Sequence, residues 1–341
     1  MKVAFLFPGQ GSQSIGMLRT FIDNSIIRDH MVHASNIIDV DLISLIDKGP
    51  KTDLDKTINT QPLLLASSIA IWKLFCSKSS FRPNLMAGHS LGEISALTAA
   101  GVFDFSQAVS LVRYRACVMQ DSAPLGSGSM AAILGLDIIT VENICKKVTS
   151  EYEEKFNSSD QNHEEGIRFQ DRAIVDIANI NTDQQIVISG TELLIEKAMS
   201  LCKAAGSKRV LKLQVSGPFH SSLLAEASVK FKERLQSENV QPPSIPVVNN
   251  VDVEMPSNTM AVIDSLGRQI MSTVRWSESV RKMMSMGVLV FVECGPGKVL
   301  SGLVRKICPK GTIFSLSEKK GFDEAVDFFE ENSKRGMFSN D

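Results

Sequence analysis

The sequence predicts an α/β protein whose main, parallel-sheet domain is interrupted by a smaller domain. Short apolar runs alternate with segments of helical periodicity near both ends of the chain, which is typical of a parallel sheet covered by helices on both faces. Between about residues 127 and 216 the predicted elements follow the order βαββαβ, the ferredoxin-like arrangement. A length of 341 residues, 43% of them hydrophobic and 22% charged, suits a globular protein of roughly two domains.

The first half of the chain starts with a strand and a glycine-rich loop. An apolar run over residues 3–7 ends at Pro8-Gly9, and GQGSQSIGM follows. Residues 60–78 have helical spacing, with Pro62 near the first turn of that predicted helix, where a missing N–H costs little. A strand over 83–87, a helix of small residues over 91–100 and a longer helix through Met119 come next.

The second half supplies the small domain and then returns to the main one. Strands are predicted over 129–136, 173–179, 185–189 and 209–215, and helices over 141–148 and 192–205. A helix over 223–237, a strand over 245–248, helices within 259–286 and the strand–turn–helix GVLVFVECGPGKVLSGLV follow. We therefore predict a discontinuous main domain over 1–126 and 217–341 and a small domain over 127–216. The polar, mostly acidic stretch 150–172 is predicted to be a solvated loop.

Composition excludes several classes of protein. A net charge of −2 and a pI near 6.3 give no global field that would attract nucleic acid. The six cysteines are scattered without a C-x-x-C pair, which indicates free thiols in a reducing compartment. The apolar segment 62–75 is interrupted by polar residues and does not predict a membrane span. We expect a cytoplasmic protein.

The segment Gly88-His89-Ser90-Leu91-Gly92 fits the G-x-S-x-G pattern of a nucleophile elbow. In such an elbow a sharp strand-to-helix turn exposes the serine Oγ, and the glycines avoid collisions with the neighbouring strand and helix. Here an apolar strand precedes the motif and a helix follows it. Serine is also a preferred helix N-cap, so the motif by itself leaves Ser90 as a nucleophile or a cap.

A serine nucleophile needs a base, and His220 in VSGPFHSSL is the best candidate among the five histidines. His89 lies within the elbow itself, and His163 belongs to the acidic stretch. His30 and His33 are three residues apart without a third ligand, so packing explains them better than a metal does. We predict no metal site.

The group that orients the imidazole stays open at this point. A triad would need a carboxylate, and none of the aspartates between Ser90 and His220 has a distinctive local pattern. A dyad, in which the imidazole N–H is held by a backbone carbonyl, fits the sequence equally well.

Two further features could serve acyl transfer. An oxyanion needs preorganised donors, and the N–H of Leu91 and an N–H near Gln10 in PGQGSQ could supply them, although that loop could also be a plain glycine turn. On the helix that contains Arg113 and Arg115, the apolar spacing places at least one of these arginines near the apolar face, but most helix arginines are solvated. GPGK at 295–298 lacks the spacing of a phosphate-binding loop and is predicted to be a tight turn near the site.

Taken in order, these segments resemble the malonyl-CoA:acyl carrier protein transacylase family of bacterial fatty-acid synthesis, which is related to the acyltransferase domains of polyketide synthases. The resemblance covers nearly the whole chain, through FLFPGQGSQ, TQPLLLASSIA, AGHSLGE, LVRYRACVMQ, GSMAAILGL, ANINTDQQIVISG, VSGPFHSSLL, PVVNNVD and VECGPGKVLSGL. It implies an α/β-hydrolase-like catalytic domain with the inserted ferredoxin-like one.

The resemblance also implies a ping-pong mechanism. Ser90 would attack the malonyl thioester with His220 as general base, and the phosphopantetheine thiol of acyl carrier protein would then take the malonyl group from the serine. The main-chain carbonyl of Gln269 would orient His220, and backbone N–H groups of Gln10 and Leu91 would form the oxyanion hole.

The family further implies how the substrate is held. Arg115 would grip the free carboxylate of the malonyl group, because a guanidinium matches a carboxylate bidentately. Phe219, before His220, resembles the malonyl-type signature of the polyketide acyltransferases. The other pocket positions that match are Gln61, His89, Met119 and Asn181. The chain departs from the family in the longer 150–172 stretch and in Ala116, where glycine is common.

These observations predict a malonyltransferase with malonyl-CoA and acyl carrier protein as partners, acting as a cytoplasmic monomer without a cofactor. The alternatives are a serine esterase or thioesterase on the same elbow, a specialised polyketide-type acyltransferase acting in trans, and a non-catalytic carrier-binding protein. Because carrier proteins are acidic, docking would use a local basic patch. The candidate patches are Lys203, Lys208, Arg209 and Lys212, or Arg281, Lys282, Arg305 and Lys306.

Overall fold

The structure, a computed structural model, describes residues 1–123, 126–158, 173–215 and 217–338, and for 155–158 the helical backbone alone. The chain forms two compact units. Unit 1 comprises Met1–Ala116, Arg234–Ser265 and Glu278–Asp341, and unit 2 comprises Cys117–Glu233 and Leu266–Ser277. The predicted small domain, 127–216, falls inside unit 2. The limits of unit 2 differ from the predicted ones because 117–126, 217–233 and 266–277 also belong to it.

Unit 1 is built on a five-stranded parallel sheet. In spatial order its strands are β7 (Val247–Val248), β2 (Leu85–Gly88), β1 (Lys2–Phe7), β8 (Val288–Glu293) and β9 (Thr312–Ser315). Residues 3–7 of β1 are all buried, as expected for a strand covered on both faces. The prediction of a parallel sheet is confirmed.

Helices surround this sheet and bury its aromatic residues. Phe5 of β1 packs against Trp72 and Phe75 at ring-centroid distances of 5.3 and 5.1 Å. The helices of unit 1 are α1 (Ser25–Ile38), α2 (Leu42–Lys48), α3 (Lys51–Leu54), α4 (Thr57–Lys78), α5 (Leu91–Ala99), α12 (Val299–Ile307) and α13 (Lys319–Lys334). Four helices contain the points where the chain passes from one unit to the other: α6 (Phe105–Asp121), α9 (Ala225–Gln236), α10 (Thr259–Gln269) and α11 (Trp276–Ser285).

Helix α4 starts three residues earlier than predicted, so Pro62 lies beyond its first turn. A proline there deprives the carbonyl four residues earlier, that of Ile58, of its helical donor. The guanidinium of Arg113 donates to this oxygen at 2.7 Å and satisfies it. A distant side chain therefore makes the helix continuous across a residue that would otherwise weaken it.

Unit 2 contains the predicted βαββαβ order. Its elements are β3 (Gly128–Leu134), α7 (Ile138–Ser158), β4 (Val175–Thr182), β5 (Gln185–Thr191), α8 (Glu192–Ala204) and β6 (Arg209–Lys212). The strands form one antiparallel sheet in the order β4-β5-β3-β6, which is the ferredoxin-like topology. Buried side chains of the sheet and of both helices form its core, among them Ile133, Val141, Ile188 and Ile195.

One part of unit 2 corrects the sequence prediction. The first nine residues of the stretch 150–172 are not a loop, because α7 continues to Ser158. Tyr152 packs against the core of unit 2, and Glu151 pairs with Lys147 at 3.8 Å and with Lys197. These contacts stabilise helical turns whose acidic composition is more typical of a loop. The remainder, 159–172, lies outside the described residues, as does His163.

Within the described ranges, no helix combines the length and the apolar character that crossing a bilayer requires.

Candidate active site

The carboxyl ends of neighbouring parallel strands bring several polar residues to one edge of the unit 1 sheet. Phe7 of β1 is in register with Gly88 of β2, and Ala87 with Val248 of β7. The residues that follow these strands include Ser90, Gln10 and Asn250. Ligands of open α/β sheets bind beyond the carboxyl ends of the strands, so a binding site is expected at this edge.

Ser90 occupies a strained turn between β2 and α5. Its φ of 53° and ψ of −110° are unusual for a residue with a side chain, and such conformations cost about 1–3 kcal/mol. A Cβ on Gly88 would lie 1.9 Å from the backbone of Gly92, and a Cβ on Gly92 would lie 1.9 Å from the carbonyl oxygen of Phe7. Only glycine fits at either position, which is the geometry of a nucleophile elbow.

The cap interpretation of Ser90 receives no support from its side chain. Ser90 precedes the first residue of α5, yet its side chain makes no capping hydrogen bond. Its Oγ instead accepts a hydrogen bond from Nη2 of Arg115 at 3.2 Å. The hydroxyl is therefore directed to a cationic side chain rather than to the helix backbone.

Gln10 and Leu91 present backbone N–H groups at the same sheet edge. Leu91 is the first residue of α5, where helical N–H groups lack intrahelical acceptors. Within the described part of the chain, neither of these two N–H groups has a hydrogen-bond acceptor. The Gln10 side chain is fixed through Thr57, with Nε2 donating to Oγ1 at 3.1 Å.

The loop that carries Gln10 is confined on two sides. A Cβ on Gly9 would lie 2.3 Å from the carbonyl oxygen of His89, so this loop touches the elbow directly. On the other side, Gly295 approaches Pro8 and Gly297 approaches Ser12, with hypothetical Cβ contacts of 2.7 and 3.1 Å. The GPG turn after β8 therefore packs behind the loop, where the sequence placed it.

Arg115 is a buried cation beside the serine, with 1% of its surface exposed. Its Nη1 donates to Oε1 of Gln61 at 2.8 Å, and its Nη2 donates to Ser90. Burial lowers the pKa of Arg115 to about 10, while the negative charge of Glu93 raises it. The guanidinium therefore keeps its charge at neutral pH, in a place where water does not screen it.

His220 is the reactive candidate of unit 2. It is 5% exposed and has a φ of 59°. Its Nδ1 lies 2.8 Å from the carbonyl oxygen of Gln269, and its backbone N–H donates to Ile270 O at 3.2 Å. Because a carbonyl oxygen only accepts, Nδ1 carries the proton and Nε2 holds the lone pair of the neutral ring. The imidazole is thus oriented by the backbone, in the tautomer that can act as a base.

The other predicted pocket residues are divided between the units. Gln61 is 1% exposed on α4, and His89 lies in the elbow with its N–H donating to Phe7 O at 3.1 Å; both belong to unit 1. Unit 2 holds the buried side chains of Met119 on α6, Asn181 on β4 and Phe219 beside the histidine.

His220 also lines a groove of unit 2 with a volume of about 510 Å³. Val175, Ile177 and Ile180 supply apolar walls, and Arg275 lines the groove as well. The groove gives the imidazole edge an opening within its own unit.

Two described histidines, His30 and His33, lie outside the site and have structural partners. His30 Nδ1 lies 2.7 Å from Ile26 O, and His33 Nε2 lies 3.1 Å from the Ser106 hydroxyl. Both rings pack against Phe105. In the described ranges, no three histidine, cysteine or acidic side chains cluster as metal ligands would.

Comparison of the sequence with known proteins assigns the chain to a family. A curated relative, the malonyl CoA-acyl carrier protein transacylase of Haemophilus influenzae, is 40% identical over 329 residues, which are 96% of this chain and 99% of the relative. The chain belongs to the malonyl-CoA:acyl carrier protein transacylase family. The enzyme of the same name from Bacillus subtilis is 39% identical over 97% of this chain and 98% of its own length. The acyl transferase domain model matches residues 4–155.

Solved structures agree with this assignment to the transacylase family. An acyl-carrier-protein S-malonyltransferase from Burkholderia pseudomallei has a TM-score of 0.88 and 42% identity over 96% of this chain and 100% of that one. A malonyl-transacylase in complex with a type II polyketide synthase acyl carrier protein also has a TM-score of 0.88, with 38% identity over the same shares. The resemblance stated from the sequence is thus confirmed.

Two residues of this transacylase-family site were not among the sequence candidates. Asn250, which is fully buried, bonds to the elbow through its side chain and its backbone. Glu93 is 1% exposed, and its charge raises the pKa of Arg115. A signal for Asn250 existed in PVVNNVD, because a polar residue just after a parallel strand reaches the binding edge of the sheet. Glu93 had no such signal, because glutamate in the first turn of a helix is common.

Proposed function

We propose that this chain transfers the malonyl group from malonyl-CoA to the phosphopantetheine thiol of acyl carrier protein, through a malonyl-serine intermediate, and so supplies fatty-acid synthesis. The observation that carries the proposal is the buried guanidinium of Arg115 beside Ser90 Oγ. A malonyl group on that oxygen carries its free carboxylate two carbon–carbon bonds from the ester carbonyl. The guanidinium next to the nucleophile can pair with this carboxylate. An acetyl group has no carboxylate, so it would leave the guanidinium unpaired.

The proposed first half-reaction begins at Ser90. Nε2 of His220 takes the hydroxyl proton while Oγ attacks the thioester carbonyl, and the oxyanion receives the N–H groups of Leu91 and Gln10. Collapse of the tetrahedral species breaks the C–S bond, and His220 returns the proton to the CoA thiolate. The second half-reaction reverses these roles, with the carrier thiol attacking the malonyl-serine. Since Ser90 and His220 belong to different units, this scheme requires the units to bring Nε2 to Oγ.

The orienting group in this proposal is the carbonyl of Gln269, so the histidine acts in a dyad. The 2.8 Å contact at Nδ1 supports that role, because it holds the ring in the base-competent tautomer without a carboxylate. Gln61 would fix the guanidinium through Nη1. We propose that His89, Met119, Asn181 and Phe219 complete the acyl pocket.

Intact-mass measurement tests the proposal. Wild-type protein mixed with malonyl-CoA is expected to gain one malonyl group, Ser90→Ala protein none, and acetyl-CoA is expected to label the serine far more slowly. Adding holo acyl carrier protein should remove the adduct and produce malonyl-carrier. Rapid loss of the adduct to free malonate without any thiol would identify a thioesterase instead, and absence of an adduct would leave a carrier-binding protein.

A second arm of the same experiment addresses the pathway. Carrier proteins of fatty-acid and of polyketide type are supplied separately to the malonylated protein, and the rates of transfer are compared. Equal or faster transfer to the fatty-acid carrier supports the proposal. Transfer confined to the polyketide carrier would favour a specialised acyltransferase.

We propose that the acidic carrier docks around the turn between α8 and β6, on Lys203 near the end of α8, Lys208 in the turn and Arg209 at the start of β6. Within the described chain these three have no ion-pair partner, whereas Lys212 of the same strand pairs with Glu192 and Glu196. Of the alternative patch, Lys282 lies 3.3 Å from Glu254. Reversing Lys208 and Arg209 to glutamate should raise the carrier KM roughly threefold to tenfold at low salt, with a smaller effect for Lys212→Glu. An unchanged KM would move the docking site elsewhere.

We also propose a cytoplasmic monomer that needs neither cofactor nor metal and binds no nucleic acid. All six cysteines are free thiols, which suits a reducing compartment. The reaction balances in atoms and charge with the serine, the histidine and the two thiols alone. Light scattering should give a mass near 37.3 kDa, and activity should survive dialysis against a chelator.

A further inference from the structure

Asn250 directs its whole side chain to the nucleophile elbow. The residue is fully buried; its Nδ2 donates to Gly88 O at 2.7 Å, and its Oδ1 accepts from the N–H of Ser90 at 2.7 Å. The amide orientation follows from chemistry, because a backbone N–H only donates and a carbonyl only accepts. One side chain therefore bonds to Ser90 itself and to Gly88, two residues before it.

The backbone of the same residue reaches the next turn of the elbow. The N–H of Asn250 donates to Oε2 of Glu93 at 2.8 Å, and Glu93 is the buried carboxylate whose charge acts on Arg115. Asn250 thus contacts the strand end, the nucleophile and the first turn of α5.

These bonds matter because Ser90 has an unfavourable backbone conformation and no capping bond from its own side chain. Something outside the turn has to hold it. The bond from Asn250 also occupies the N–H of Ser90, which leaves the N–H of Leu91 as the donor at the start of α5. The direction of both the nucleophile and the oxyanion donor is therefore tied to one asparagine.

We propose that Asn250 is a positioning residue for acylation: it fixes the elbow so that Ser90 Oγ and the Leu91 N–H face the thioester carbonyl. The inference rests on the proposed function for its substrate, but the geometry concerns the reactivity of the serine itself. A misplacement of reacting groups by about 1 Å costs roughly 100-fold in rate.

The test compares Asn250→Ala with Asn249→Ala in the full-length chain. Asn249 is the matched control: it is 3% exposed, and its Oδ1 accepts from Asp252 N and Val253 N at 2.8 and 3.0 Å, away from the elbow. Single-turnover formation of malonyl-serine should slow about 100-fold in Asn250→Ala. The KM for malonyl-CoA should stay within about threefold, because the substitution retains the backbone N–H to Glu93. Asn249→Ala should acylate at nearly the wild-type rate per folded molecule.

Asn250→Asp supplies a readout that a merely structural role would not move. An ionised carboxylate can accept from Ser90 N but cannot donate to Gly88 O, whereas the protonated acid can do both. The ratio of its acylation rate to that of wild type should therefore rise as pH falls from 8 to 5. The corresponding ratio for Asn250→Ala should stay flat. If the alanine variant fails to fold, the pH dependence of Asn250→Asp still tests the positioning role.

Labelling of Ser90 by a fluorophosphonate separates this inference from the proposed function. Slow labelling of Asn250→Ala in a protein whose wild type forms no malonyl adduct would refute the malonyl assignment and keep the positioning role. Two results would overturn the inference: a folded Asn250→Ala protein that acylates and labels within threefold of wild type, or an equal loss in Asn249→Ala. A flat rate ratio for Asn250→Asp would contradict it as well.

Discussion

Each unit holds its reactive residue at a positive φ, but the two units differ in the charges that they bury. Ser90 and His220 both have positive φ, 53° and 59°. Unit 1 buries Glu93, Arg115 and Glu293, each about 1% exposed, and Arg115 contacts the serine. Among the described residues of unit 2, no acidic, lysine or arginine side chain is buried to this degree.

This difference in buried charge indicates separate roles for the two units in the proposed acyl transfer. Buried charges are costly to desolvate, and a fold keeps them where a fixed electrostatic field is needed. Unit 1 would have to receive a substrate carboxylate and a developing oxyanion. Unit 2 would only have to move one proton, and a backbone carbonyl orients the imidazole without adding charge.

Removing the base is expected to have the largest effect. His220→Ala should slow malonyl-serine formation about 10²–10⁴-fold, because general base catalysis is worth that much. Rapid-quench mass spectrometry measures the rate. If the lost proton acceptor is the cause, the variant's residual rate should increase with hydroxide concentration. A residual rate close to that of wild type would show that unit 2 does not supply the base.

Removing the cation of unit 1 should change selectivity more than overall reactivity. In Arg115→Ala, kcat/KM for malonyl-CoA should fall roughly 100-fold, since an unpaired buried charge of the substrate costs several kcal/mol. The ratio of acetyl to malonyl transfer should rise. In wild type this selectivity should persist up to a pH near the Arg115 pKa of about 10 and decline above it, as the cation is lost.

Arg113→Ala is the matched control for that substitution. Arg113 lies on the same helix and donates to Ile58 O at 2.7 Å and to Asn59 Oδ1 at 3.2 Å. Its loss should lower stability and leave the acyl selectivity unchanged. Unchanged selectivity in Arg115→Ala would remove the proposed role of unit 1 in binding the carboxylate.

A smaller effect is expected from a carboxylate that bonds to the histidine segment in unit 2. Asp176 Oδ2 accepts from Ser222 N at 2.8 Å and from Ser222 Oγ at 2.6 Å, two residues after His220. Asp176→Ala should lower the free energy of unfolding by about 1–3 kcal/mol and slow acylation roughly tenfold. Asp137→Ala, which removes the cap on Thr140 N, should affect stability alone. A loss as large as in His220→Ala would mean that unit 2 also depends on a carboxylate.

The smallest effect concerns Glu293, whose oxygens accept from Leu300 N and Ser301 N at 3.0 and 2.7 Å at the start of α12. Burial raises its pKa above the ordinary 4.5, against the opposing effect of these hydrogen bonds. The folded state therefore binds this proton more tightly than the unfolded state, so the contribution of Glu293 to stability decreases as pH rises from below 4.5 through the folded pKa.

Glu293→Gln removes that dependence. The difference in urea midpoint between wild type and variant should favour wild type most at low pH and shrink towards pH 8. A difference that grows with pH would show that the hydrogen bonds outweigh burial, and that unit 1 holds this carboxylate in its charged form without penalty.

Local spacing determined much of this protein in advance. The glycines at 88 and 92 specified an elbow because only glycine avoids the backbone of the next turn and of β1. The alternation of apolar runs and helical segments specified the parallel sheet, and the βαββαβ order specified the sheet of unit 2. Both depend on contacts or periodicities within short stretches, which a sequence displays directly.

Only the tertiary structure decided the features that join distant residues. Asn250 reaches Ser90 across 160 positions, and Arg113 satisfies the carbonyl that Pro62 leaves open across 55. Helix α7 extends into an acidic stretch because Tyr152 packs against the core and Glu151 pairs with lysines. Neither spacing nor propensity contains these pairings, since their energy depends on burial and on a partner that the fold alone brings near. The sequence therefore predicted Ser90 as a candidate nucleophile, whereas the residues that hold it in place are brought to it by the fold.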